Sequence, residues 1–202
     1  MTSTDRIAYA GSFASGLPAP KGREEASFRY NFGSGHNDPE AIPVEAFAAA
    51  AERVIRRDGR NLAIYGMGGS SLGYAPLREI VADKLRRHRG MDCTIDDVLI
   101  THGSLQGMDL VNALLLNRGD TVIIEQFTYT AALSKVAALG VQAIPAPLDA
   151  GGIEMDGLAS VLEGLKASGK RAKYIYTIPT IQNPTGSIMS VERRERLLAL
   201  SR

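Results

Sequence analysis

Tyr174-Ile175-Tyr176-Thr177-Ile178-Pro179-Thr180-Ile181-Gln182-Asn183-Pro184-Thr185-Gly186 is the stretch on which the fold turns. It opens as a β-branched and aromatic run, the composition of a buried strand. It closes on two prolines and a glycine, which force the backbone out of a sheet within a few residues. An asparagine delivered there, at the mouth of an α/β sheet, is placed to meet a ligand beyond the carboxyl end of the strand. Asn-Pro is also common in an ordinary strand-to-helix turn, so the stretch by itself leaves both roles open for Asn183.

Outward from this stretch the chain alternates strand and helix. The patterning predicts strands over Val98–Thr101, Thr121–Glu125, Val141–Pro145 and Lys173–Thr177. Helices are predicted over Leu105–Leu116, Thr128–Leu139 (closed by Gly140), Met155–Lys166 and Val191–Leu200, the last capped by Ser190. Asp149–Gly152 is expected to be a loop. This βαβα order argues for an α/β fold, an open and mainly parallel sheet with helices on both faces, α-β-α in layers.

Upstream, Pro76–Arg89 reads as a helix with a stripe of Leu77, Ile80, Val81 and Leu85. The glycine-rich run Gly66-Met67-Gly68-Gly69-Ser70-Ser71-Leu72-Gly73 before it invites a phosphate-loop reading. No Gly-Lys-Ser/Thr follows, and Ser71 stands where the last glycine of a dinucleotide loop belongs, so both patterns fail. The run is read as a flexible lead-in. Pro43–Arg57 reads as a helix with Val44, Phe47, Ala48, Ala51, Val54 and Ile55 on one face, ended by Gly59. Residues 1–42 read as an extended arm with loops. His36 lacks a second His, Cys or acidic pair at metal spacing and reads as a loop histidine.

The 202 residues suffice for one sizeable core or for pieces of two domains. With 45% hydrophobic and 22% charged residues, the balance is that of a globular protein. A net charge of +1 gives no electrostatic case for nucleic acid or an anionic membrane as a partner. The single cysteine, Cys93, excludes an internal disulfide framework, fits a reducing compartment and reads as a small buried side chain. No apolar run reaches the length of a membrane span, and the first 20 residues lack a signal-peptide core. The expected location is the cytoplasm.

Three loops follow predicted strand ends, where ligands bind in such sheets. Gly103-Ser104-Leu105-Gln106 opens a helix, whose unpaired N–H groups and positive dipole end favour an anion such as phosphate. Ser104 is otherwise an N-cap. In Glu125-Gln126-Phe127-Thr128-Tyr129, Tyr129 either stacks on a flat ring or belongs to the core. Asn183 supplies the third contact. A cap, an aromatic and an asparagine on successive strand ends suit a phosphorylated aromatic cofactor. A serine-hydrolase elbow at His102-Gly103-Ser104-Leu105-Gln106-Gly107 fails because His102 replaces the required glycine.

These segments resemble one family, the pyridoxal-phosphate-dependent class I/II aminotransferases of fold type I, nearest the branch of 2-aminoadipate and kynurenine aminotransferases. The resemblance rests on Ile100 through Leu110, on Glu125-Gln126-Phe127-Thr128-Tyr129 and on Tyr176 through Gly186, with Tyr65 and the Gly73–Arg78 segment upstream. It implies that Ser104, Leu105 and Gln106 hold the phosphate of pyridoxal 5'-phosphate, that Tyr129 stacks on its ring and that Asn183 bonds the ring hydroxyl oxygen. It further implies that Tyr65 reaches the phosphate of a second subunit in a homodimer and that Gly35 lies in a loop over the substrate side. Phe127 departs from the proline usual in the family, and His102 and Leu105 are milder departures.

The resemblance also implies a domain division: residues 1–57 as N-terminal arm and partial small domain, and residues 58–202 as the first part of the large cofactor domain. In this family the Schiff-base lysine, the aspartate of the pyridine nitrogen and the arginine of the substrate carboxylate follow the Asn-Pro-Thr-Gly motif. Lys21, Lys84, Lys135, Lys166, Lys170 and Lys173 all precede Asn183. The expectation is therefore an N-terminal fragment of an enzyme that moves an amino group between an amino acid and a 2-oxo acid, with no catalytic residue of its own. The sheet is expected to lack strands and to leave an edge that needs covering. A lyase or decarboxylase on the same fold, a non-catalytic cofactor-binding remnant and a regulatory module are the alternatives.

Overall fold

The computed structural model describes residues 29, 35, 37–66 and 69–202. The arm over residues 1–28, His36, and Met67-Gly68 of the glycine-rich run lie outside them. The chain divides into two compact units, Met1–Gly59 and Arg60–Arg202.

In the first unit, helix α1 spans Val44–Asp58, with Pro43 at its N-cap rather than inside its first turn. Its amphipathic pattern is the expected one, but none of its residues is buried, and Val44 and Phe47 are each 62% exposed.

The second unit is built around a parallel sheet of three strands, Gln142–Ala146, Thr121–Glu125 and Ala172–Tyr176 in spatial order. Strand β3 (Thr121–Glu125) is central and every residue in it is buried. It pairs with β4 (Gln142–Ala146) on one side and β7 (Ala172–Tyr176) on the other. The stretch read as a buried strand is thus a half-buried edge strand, and the deepest apolar run is Thr121–Glu125.

Alternate side chains of β3 point to opposite faces. Ile123 joins a core with Ala146, Ile153, Leu158 and Leu165, contributed by β4, the hairpin β5 (Leu148–Asp149) and β6 (Gly152–Ile153), and helix α5 (Met155–Ala167). Val122 turns the other way, onto Val136 of helix α4 (Thr130–Ala138) and Val141. Each fully buried side chain of this size contributes about 1.5–3 kcal/mol. Helix α3 (Ser104–Leu115) packs on that second face, where the Tyr174 hydroxyl donates to Asn112 Oδ1 at 2.8 Å. Helix α6 (Val191–Leu200) closes the unit; as expected, Ser190 caps it, accepting from the Arg193 N–H at 3.3 Å.

Four expectations need correction. Val98–Thr101 forms no strand and pairs with none among the described residues; Ile100 N–H donates to Leu72 O at 2.9 Å instead. Gly73 is no flexible lead-in. It lies in the two-residue pairing of β1 (Gly69–Ser70) with β2 (Gly73–Tyr74) at φ +109°, and a Cβ there would stand 2.7 Å from Ile100 Cβ. The glycine lets two backbones approach. The stripe on helix α2 (Ala75–Arg89) holds only in part: Val81 and Leu85 pack inward, but Leu77 and Ile80 are exposed, while Ala82 and Arg78 are buried. Arg78 donates to the carbonyls of Val98 and Ile95, which explains a buried guanidinium on a small satellite core of Ala82, Cys93 and Val98. Asp149–Gly152, expected as a loop, is the turn of the β5–β6 hairpin. Cys93 is buried, as expected.

Candidate active site

The site is set by where the helices start. Helix α3 ends just before β3 begins, so it runs back along the sheet. Its 12 residues span about 18 Å, close to the length of the five-residue strand it flanks. The N-terminus of α3 therefore comes level with the carboxyl end of β3, on the side where the 126–129 turn and the 177–186 segment also lie.

At that N-terminus the cap is Gly103, at φ +78°, and Ser104 is the first helical residue. Ser104 does not take the alternative role of N-cap: its hydroxyl has no partner among the described residues. The first intrahelical bond runs from the Gly107 N–H to Gly103 O, so the N–H groups of Ser104, Leu105 and Gln106 have no partner among the described residues. The Gln106 side chain folds back and accepts from the His102 N–H at 2.5 Å. No acidic residue stands in the first turn, so nothing repels an anion there.

The other two loops are tied together by a pair of buried side chains that the sequence did not single out, Glu125 and Gln182, each 2% exposed. Glu125 Oε1 accepts from Thr177 Oγ1 at 2.7 Å and from the Ile178 N–H at 2.9 Å. Its Oε2 accepts from Gln182 Nε2 at 2.8 Å and from Thr128 Oγ1 at 3.3 Å. Four donors saturate a carboxylate. Gln182 Nε2 also donates to Phe127 O at 2.7 Å, and Gln182 Oε1 accepts from the N–H and Oγ1 of Thr185 at 2.8 and 2.7 Å. The turn departs from the sheet through Ile181 at φ +54°, a left-handed conformation rare for a β-branched residue. This reversal sends Gln182 inward, while Asn183 is left exposed. A signal was present: a carboxylate directly after the apolar run Val122-Ile123-Ile124 must find donors or be expelled.

Tyr129 is 38% exposed and stands at the N-cap of α4. It lies near enough to Tyr176 to act on it. Burial first, then the Glu125 charge and then Tyr129, push the Tyr176 hydroxyl above its ordinary value of 10.0. Phe127, where the turn was expected to differ, is 58% exposed and contributes its carbonyl to Gln182. Tyr65 is fully exposed. Gly35 belongs to the first unit, at φ +57°. The structure thus joins the Tyr129 and Asn183 loops by hydrogen bonds and aligns the Ser104 loop with them by topology.

Beside this end, a cavity of about 330 Å³ is lined by Glu125, Phe127, Thr130, Pro145 and Pro184 among others. A larger one, about 1040 Å³, lies against Asp120, Lys170 and Tyr174 along the outer edge of β7. It opens toward the starts of the strands, the wrong end for a ligand in an open parallel sheet. Among the described residues no cluster of His, Cys, Asp and Glu is arranged to hold a metal ion, and no helix is long and apolar enough to cross a membrane.

Comparison with known proteins meets this geometry. The family model for aminotransferase class I and II matches residues 30–202. Aromatic-amino-acid aminotransferase 1 of Thermococcus litoralis is 33% identical over 198 residues, 96% of this chain and 47% of that protein. The 2-aminoadipate transaminase of Thermus thermophilus is 34% identical over 189 residues, 94% of this chain and 39% of its own length. A multiple substrate aminotransferase from Thermococcus profundus superposes with a TM-score of 0.83 at 32% identity, covering 96% of this chain and 49% of that one. The chain spans about half the length of the curated relatives it matches, and it belongs to the class I and II aminotransferase family.

Proposed function

We propose that this chain supplies the phosphate and ring contacts of a pyridoxal-phosphate-dependent aminotransferase, exchanging an amino group between an amino acid and a 2-oxo acid. The observation that carries the reading is the convergence, at one end of β3, of an unpaired helix N-terminus and the Glu125–Gln182 tie between the Tyr129 and Asn183 loops.

The residues present fit such a group. Three free N–H groups and the Ser104 hydroxyl at the positive end of α3 match the oxygens and charge of a phosphate dianion. Pyridoxal phosphate, when bound, supplies an electron sink for charge developing at the substrate carbon. Ser104, Leu105 and Gln106 would anchor the phosphate. The face of Tyr129 would limit the tilt of the ring and keep water from one side, and the Asn183 amide would donate to the ring hydroxyl oxygen. Tyr65, fully exposed, would serve the phosphate of a second subunit in a homodimer, and Gly35 would pass over the substrate. Residues 1–57 would form the arm and part of a small domain, and residues 58–202 the first part of the cofactor domain. A cytoplasmic location is part of the same reading.

Two measurements test it. Pyridoxamine 5'-phosphate, an amine that cannot condense with lysines, should bind the 202-residue chain at one per chain, with inorganic phosphate competing and Asn183→Ala weakening it. Absence of saturable binding sinks the cofactor reading. For the reaction, the reading frame beyond Arg202 should encode an Asp, a Tyr and a Ser-x-x-Lys set; a frame without them removes the amino-transfer claim.

A further inference from the structure

We infer that Gln182 is a positioning residue that fixes the ring contacts Tyr129 and Asn183 relative to each other, independently of the phosphate anchor; this rests on the cofactor reading above. The case is the two-ended use of one buried amide. Its donor end is held on β3 and the 126–129 turn, through Glu125 Oε2 and Phe127 O. Its acceptor end is held on the turn that carries Asn183, through both donors of Thr185. Tyr129 follows Phe127 by two residues, and Asn183 follows Gln182 directly. Any drift of Gln182 therefore opens the gap between the stacking face and the hydrogen-bonding amide.

Among the described residues the Glu125 carboxylate is the other group that both loops reach, and it stands on β3, so Gln182 is the side chain that carries the tie into the Asn183 turn itself. Thr128 and Thr177 each reach Glu125 from one side only. The backbone bonds of the Asn183 turn, Gly186 N–H to Gln182 O and Gln182 N–H to Ser187 O, close the turn on itself, and Arg194 of α6 holds its base through Pro179 O, Thr180 Oγ1 and Met189 O; none of these bonds reaches the 126–129 turn. Ile181 at φ +54° adds a reason for the tie: a strained turn stays in place only when its surroundings hold it. The Ser104 loop shares none of these bonds, so the phosphate anchor should not respond to Gln182.

The test uses the full chain and two probes, pyridoxamine 5'-phosphate, which needs ring and phosphate contacts, and inorganic phosphate, which needs only the second. Gln182→Leu should weaken pyridoxamine phosphate about tenfold, the scale of a buried hydrogen-bonding group left unpaired. It should also move the absorbance maximum of the bound ring toward that of the free compound, while phosphate affinity stays within about twofold. Thr185→Val, which removes one donor and keeps the shape, should change both in the same direction by about threefold; it carries the test if Gln182→Leu does not fold by circular dichroism. Equal weakening of both probes means general loosening and overturns the positioning role, as does a Gln182→Leu or, in its place, Thr185→Val chain matching the parent. If the parent chain itself fails to bind pyridoxamine phosphate, the cofactor reading falls and takes this role with it.

Discussion

Replacing Glu125 tests the physical account of the site most directly, because its carboxylate takes donors from both loops and from Gln182. In Glu125→Ala the four donors around it lose their acceptor. The hydroxyls of Thr128 and Thr177 can rotate to other partners. The Ile178 N–H is fixed by the backbone, and the Gln182 amide keeps only Phe127 O. A buried donor left unsatisfied costs about 1–3 kcal/mol, so one full loss, one partial loss and the cavity sum to about 3–4 kcal/mol. Against a typical stability of about 5–15 kcal/mol that is a large fraction. Glu125→Gln separates charge from shape. Its oxygen still serves Thr177 and Ile178, but its NH2 now meets the NH2 of Gln182, so the loss is about 1.5–3 kcal/mol, the worth of a hydrogen bond to a charged group. Urea unfolding followed by far-ultraviolet circular dichroism gives both numbers, provided the m-value is unchanged. A cost below about 1 kcal/mol for Glu125→Ala, or equal costs for the two variants, would refute the four-donor account.

Gly73→Ala should destabilise by at least about 2 kcal/mol, because a left-handed backbone costs about 1–2 kcal/mol and Ile100 must also move; Gly103→Ala, where a Cβ meets nothing within 4 Å, should cost only the backbone share. The same urea titration ranks the two, and an inverted order would contradict the close approach at Gly73. Ile181→Asn should stabilise by up to about 1 kcal/mol, since asparagine tolerates φ +54° far better than a β-branched residue; a lower urea midpoint would show that the Ile181 side chain contributes more than its backbone costs. Asp149 is held below its ordinary 3.8, first by the side-chain bonds from Arg193 and then by the Gly151 N–H. A carboxylate lowered in the folded state contributes stability above its unfolded value, and that contribution is lost as pH falls through the folded one. The chain should therefore weaken below about pH 4, and Asp149→Asn should flatten that part of a stability–pH curve; an unchanged slope would remove the Arg193 pair from the account.

The layout of the second unit was legible because periodicity and turn residues agree over Thr121–Leu200, where each strand or helix is flanked by Gly, Pro or a cap. Legibility failed where burial, not pattern, decides. Val98–Thr101 has the composition of a strand, yet its neighbour is the Gly73 turn, and only Ile100 finds a backbone partner there. On α2 the apolar stripe pointed to Leu77 and Ile80, but the buried face carries Arg78, because the carbonyls of Ile95 and Val98 need a donor more than the core needs another leucine. For Ser104, residue type left an anion contact and an N-cap both open; Gly103 takes the cap position by conformation, which frees the Ser104 hydroxyl.

The same reasoning explains why Ser104, Tyr129 and Asn183 were visible in the sequence and Glu125 and Gln182 were not. A group that touches a ligand must be reachable, and its motif ends in turn residues that stand out: Gly103 before Ser104, the Pro184-Thr185-Gly186 run after Asn183. A group that holds such contacts in place must be dry, since water would compete for its hydrogen bonds and weaken each of them. It therefore hides among apolar neighbours, as Glu125 does at the end of Val122-Ile123-Ile124. Its mark is a polar residue that the local pattern cannot accommodate. Glu125 ends the most buried strand, and Gln182 follows a residue in a left-handed turn. Both break a local rule, and each is compensated by the other. In the proposed cofactor site the exposed residues would select what binds, and the Glu125–Gln182 pair beneath Tyr129 and Asn183 would hold those two contacts in register.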